Sequence, residues 1–150
     1  MVEPALKWSV GVDAVVFASR TGIRLELTPA PRPHRSGRGE LPAWGARLTG
    51  PGIDASVVCP EAGWGAQPLA DYLATLGADW RGWSGGRAWE SDQAELRLTA
   101  RHDRANTVVV EAVLAAGSRW RASADLALDP GVLRQLATEA RRLAEASLAL

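Results

Sequence analysis

Apolar and polar residues alternate strictly along WRASADLAL, residues 120–128. Trp120, Ala122, Ala124, Leu126 and Leu128 fall on one side, and Arg121, Ser123, Asp125 and Ala127 on the other. A period of two marks a strand with one wet face, because successive side chains leave opposite sides of a pleated backbone. ELRLTARHD repeats the pattern, with Leu96, Leu98 and Ala100 against Arg97, Thr99 and Arg101. Between the two lies TVVVEAVLA, residues 107–115, rich in β-branched residues that suit a half-buried sheet. The links at 102–106 and 115–119 are short, so these three segments predict an antiparallel meander.

Upstream, weaker patterns predict strands at 12–18, 23–28, 43–49 and 53–59. SRTG and GPG are tight-turn sequences, which makes the four strands two hairpins. Between the hairpins, PAPRPHRSGRGELP (29–42) has too much proline, glycine and arginine for a core element and is read as a mobile basic loop. A period of 3.6 then appears twice. The first helix starts near Pro68 and carries Leu69, Tyr72, Leu73, Leu76 and Trp80 on one stripe, weakened by Gly77. The second opens with Asp129 as N-cap and Pro130 in the first turn, then runs through Leu133, Leu136, Ala140, Leu143 and Ser147. The predicted order is ββββαβββα. Helices do not alternate regularly with strands, which argues against a doubly wound parallel sheet. The fold class is α+β: a twisted antiparallel sheet of about seven strands with both helices on one face, in a single domain over 1–150.

Composition changes this picture little. Seventeen basic and seventeen acidic residues cancel, so no overall field favours nucleic acid or an anionic membrane. The charge is uneven, however: residues 54–95 carry a net −5 and residues 1–53 a net +3. The lone cysteine, Cys59, excludes an intramolecular disulfide and sits in the apolar run ASVVC as a buried thiol. No apolar stretch approaches eighteen residues and the N-terminus lacks a signal-peptide core, so a cytoplasmic protein is expected.

DWRGWSGGRAWE, residues 79–90, places Trp80, Trp83 and Trp89 where the first helix must turn into the next strand. The expected role is packing at that corner, with Trp80 on the helix stripe and Trp83 the one indole with a claim to be an exposed anchor beside Arg81 and Arg87. This stretch, the following ELRLTARHD and the later W-x-A-x-A-x-L-x-L-x-PG with its Ala/Leu-rich helix resemble an uncharacterised family of small actinobacterial proteins. Its members carry a WRGW-x-G-x-x-x-W-x-S segment. The resemblance covers about residues 68–145 and implies a domain of unknown function, with no activity attached. The chain departs from it in the long basic loop and at Val132, where an acid commonly follows the Pro-Gly.

Motifs that would name a reaction are missing. There is no nucleophile elbow on a strand, no phosphate loop and no dinucleotide fingerprint. His34 reads as a solvated loop residue, and His102 neighbours Asp103 on a strand, where adjacent side chains diverge and form no dyad. No spacing of His, Cys or acids suggests a metal, and no cofactor is implied. Glu90, Asp92 and Glu95 are the one acidic group to test for acid–base chemistry.

The expected function is a non-catalytic protein–protein interaction module of an antitoxin or immunity-like kind. Its contact residues would be Asp79, Arg81, Trp83, Arg87, Arg101 and His102, facing an unknown and basic protein partner. The alternative is a binder or enzyme for a small anionic ligand in an Arg-lined groove on the wet sheet face, using Arg97, Arg101, Arg121 and Asp103.

Overall fold

The computed structural model describes residues 14–30, 34–36, 39–41, 43–61 and 67–149. The strands are β1 (Val15–Ala18), β2 (Arg24–Pro29), β3 (His34–Ser36), β4 (Gly39–Leu41), β5 (Ala43–Gly50) and β6 (Ile53–Pro60). Helix α1 (Leu69–Ala78) follows, then β7 (Gly86–Glu90), β8 (Leu96–His102), β9 (Val108–Ala115) and β10 (Arg121–Leu128). A 3₁₀ turn, Pro130–Val132, leads into α2 (Leu133–Ala149).

The strands form two four-stranded antiparallel sheets, ordered β1-β2-β5-β6 and β10-β9-β8-β7. The class is α+β, as the periodicity predicts, but the single sheet of about seven strands is replaced by two sheets of four. The physical reason is the chain's route. It leaves β6 through α1 before starting the second meander, so no strand pairs β6 with the later ones. The sheets meet instead at β1 and β10, where Arg20 N donates to Ala127 O (3.1 Å) and Ala127 N donates to Ser19 Oγ (2.9 Å).

The additional strand in the second sheet is β7. It escapes a search for alternating apolar residues because its inward positions are Arg87 and Trp89, opposite Ala100 and Leu98. Within the segment 29–42, β3 and β4 pair as a small hairpin, while 31–33, 37–38 and 42 lie outside the described residues.

Inward residues of both sheets and both helices merge into one apolar core. Phe17, Leu25, Leu27, Trp44 and Leu48 come from the first sheet, and Leu96, Leu98, Leu114 and Leu126 from the second. Helix α2 packs along α1 and lies against β1, β2 and β5, closing the first sheet. Gly77 sits at that helix crossing: a Cβ there would come within 2.9 Å of Arg134 Cγ. The glycine that costs α1 helix propensity is what lets the helices approach. Asp129 caps the 3₁₀ turn by accepting from Gly131 N at 2.9 Å, with Pro130 in the first turn. Trp120, expected on the dry face, is 38% exposed, because β10 begins one residue later and the indole falls in the connecting turn.

Candidate functional site

The tryptophan-rich bend is a seam between α1 and the second sheet. Trp89 projects inward from β7, is 5% exposed, and donates from Nε1 to Gln67 O at 2.9 Å. Its ring lies 6.5 Å from that of Tyr72 on α1. The Tyr72 hydroxyl donates to Arg87 O at 2.8 Å, and burial pushes its pKa up. Trp83 is 6% exposed and donates from Nε1 to Ala100 O at 3.3 Å. Trp83 is therefore a packed side chain and not the exposed anchor. The guanidinium of Arg87 lies over the ring, 4.9 Å from its centroid, and is held there by Asp79 at 2.7 Å.

The exposed indole is Trp80, at 46%. A regular helix would have carried it onto the apolar stripe, but α1 ends at Ala78. Asp79 N donates to Thr75 O and Leu76 O, Gly82 N closes a turn onto Asp79 O, and the periodicity is lost. Arg81 stacks on the outward ring, its guanidinium carbon 5.1 Å from the centroid. Beside the indole lies a recess of about 370 Å³ lined by Gly77, Trp80, Pro130, Gly131 and Arg134.

His102 fixes this corner from below. Its side chain is fully buried. Nδ1 accepts from Arg104 N at 2.6 Å, which assigns the proton to Nε2, 2.7 Å from Trp80 O. The imidazole also meets Trp83 edge-on, with centroids 5.2 Å apart. Both ring nitrogens are thus committed to backbone groups, and His102 is a clamp rather than a base. Asp103 Oδ1 lies 4.0 Å from Nδ1 but accepts instead from Ala105 N (2.8 Å) and Thr107 N (3.1 Å). Those two N–H groups hold the Asp103 carboxyl below the usual carboxylate range. Arg104, in the left-handed region at φ 63°, extends its guanidinium to Ser84 Oγ and ties the loop down.

The six residues singled out from sequence do not form one site. Asp79, Trp83, Arg87 and His102 gather at the seam, Arg81 lies outside it on Trp80, and Arg101 points to the opposite face of β8. There Arg97, Arg101 and Arg121 line a recess of about 420 Å³ with Thr99, Glu111 and Ser123. A larger cleft of about 610 Å³ opens beside β1, β2 and the first turns of α2, with Val16, Ala18, Val132 and Leu136 among its walls and Arg24, Glu26 and Glu139 among its charged groups.

The three suspected acids divide as well. Glu95 organises its own turn, accepting from Ser91 Oγ (2.8 Å) and Gln93 N (3.1 Å), while Glu90 is exposed on β7. Sequence reasoning missed Glu61, which is 7% exposed and accepts from Leu69 N at 3.0 Å. It caps α1 where Pro68 offers no side-chain acceptor. Cys59 is buried, and burial followed by the charges of Glu95 and Glu61 pushes its thiol pKa up, away from nucleophilic use. Among the described residues, no group of three or more His, Cys, Asp or Glu side chains is placed to hold a metal ion. No described helix is long and apolar enough to cross a membrane.

A comparison with curated proteins finds no match. A family model, described as a family of unknown function (DUF6228), matches residues 17–147, from within β1 to within the last turn of α2, and takes in the whole tryptophan seam. The chain belongs to the DUF6228 family.

Proposed function

We propose that this protein is a non-catalytic interaction module, and that its contact point is the Trp80–Arg81 corner. The observation that carries this reading is an indole left 46% exposed, capped by a guanidinium and anchored through its own backbone carbonyl by a buried histidine. Trp and Arg dominate binding hot spots because they bring large contact area and charge-assisted hydrogen bonds together. A side chain whose backbone is already fixed loses less entropy on binding. The other large apolar side chains exposed among the described residues are Val58 and Trp120, and neither is stacked under a guanidinium as Trp80 is.

The acid-rich middle of the chain argued for a basic partner. Within the fold, Asp54 pairs with Arg47, Asp71 with Arg141 and Asp79 with Arg87, while Glu61 and Glu95 satisfy backbone groups. The charges beside Trp80 are Arg81 and Arg134. The partner surface that fits this corner is therefore an apolar group flanked by carboxylates.

Affinity capture from the native host with wild type and Trp80→Ala tests the reading, each bait first checked for an unchanged melting temperature. A protein retained by wild type and lost from Trp80→Ala is expected. Identical captures on both baits, or none on either, would refute it.

A further inference from the structure

The wet face of the second sheet carries a second feature, independent of the tryptophan corner. Pairing registers set its layout. Arg97, Thr99 and Arg101 alternate along β8, Thr99 lies opposite Glu111 on β9, and Ser123 lies opposite Val113, which itself faces Arg97. Arg101 lies opposite Gly86 on β7. A Cβ at position 86 would stand 3.3 Å from the Arg101 guanidinium carbon and 3.1 Å from Thr99 Cγ2. The missing side chain is what makes room for the guanidinium to lie across the sheet. With Ala88 beside it, Gly86 keeps this wall of the recess low.

Arg47, Arg87 and Arg141 each hold an aspartate at 2.7 to 3.1 Å. Arg97, Arg101 and Arg121 have no carboxylate within ion-pair distance among the described residues, although Glu90 sits directly opposite Arg97. Three guanidiniums and one carboxylate, Glu111, leave the lining of this recess at +2. A phosphate monoester carries about −1.5 to −2 near neutral pH and accepts the forked donors of arginine. Glu111 can only accept hydrogen bonds when ionised, so the rest of the ligand must donate.

We propose that this recess binds a small phosphorylated polyol: Arg97 and Arg101 hold the phosphate across Thr99, Arg121 adds charge from β10, and Glu111 receives a ligand hydroxyl. Arg97, Arg101, Glu111 and Arg121 occupy exposed strand positions and Thr99 a half-buried one, so the charged side chains of the site can be changed without opening the core.

The test is a titration of ¹⁵N-labelled protein with ribose 5-phosphate, ribose and inorganic phosphate, followed through backbone amide shifts. Ribose 5-phosphate should give saturable shifts confined to β7–β10. Loss of a charged hydrogen bond should weaken that binding about tenfold or more in Arg97→Ala and Arg101→Ala. Gly86→Val should weaken it too, while Arg47→Ala on the other sheet should not. In Glu111→Gln the advantage of ribose 5-phosphate over inorganic phosphate should shrink. Absence of saturable shifts at millimolar concentration, equal response to ribose, or undiminished binding in the arginine variants would overturn the proposal. None of these results bears on whether Trp80 is needed to capture a protein partner.

Discussion

Replacing His102 with Ala measures how much the clamp beneath Trp80 contributes. The variant loses the hydrogen bond from Nε2 to Trp80 O and the one that Nδ1 accepts from Arg104 N. Each is worth about 0.5–1.5 kcal/mol net of solvation. It also removes a fully buried ring from the edge of Trp83. Aromatic contacts of that kind add about 0.5–1.5 kcal/mol, and the vacated space brings a further cost. The working figure is a loss of about 3 kcal/mol, equivalent to a fall in melting temperature of about 6–12 °C for a chain of this size. Urea denaturation gives the global loss, with an unchanged m-value if the fold is kept. Hydrogen exchange locates it: the amide of Arg104 should lose protection before that of Val110 in central β9. A loss below about 1 kcal/mol would mean that water replaces both backbone contacts as well as the imidazole does, and the clamp would be refuted.

Three further perturbations address other elements. Gly77→Ala should fail to stabilise α1: helix propensity favours Ala by about 1 kcal/mol, but the new Cβ meets Arg134 Cγ at 2.9 Å, so thermal unfolding should show unchanged or lower stability. Glu61→Ala strips the acceptor from Leu69 N and should cost about 1–2 kcal/mol in chemical denaturation, whereas Glu61→Gln, which keeps an acceptor, should cost less. Asp103 titrates below its ordinary range in the fold, so its stabilising effect is present above the unfolded pKa and is lost as pH falls through the folded one. Asp103→Asn should therefore flatten the acid limb of the stability profile while leaving its slope above pH 7 unchanged, and a parallel limb in both proteins would contradict the assignment.

What the chain discloses before folding depends on which interaction decides each position. Leu69, Tyr72, Leu73 and Leu76 are legible because burial repeats with the helix. Trp80 is not, because the stop after Ala78 is set by backbone bonds to Thr75 and Leu76 with no side-chain signal of its own. Strand β7 is invisible to hydrophobic alternation because an inward arginine covers Trp83. The parity that puts Arg97 and Arg101 on a wet face is readable, and their place beside Arg121 follows once β8, β9 and β10 pair in sequence order. The role of His102 is unreadable, since both its partners are main-chain groups whose positions exist only in the fold.

Exchange of the indole N–H protons, resolved residue by residue by NMR, tests the seam most directly. Trp83 and Trp89 should exchange slowly, their N–H groups buried and bonded to Ala100 O and Gln67 O, while Trp80 exchanges at the rate of an open side chain. Fast exchange at Trp83 together with protection at Trp80 would reverse inside and outside at this corner and contradict the account.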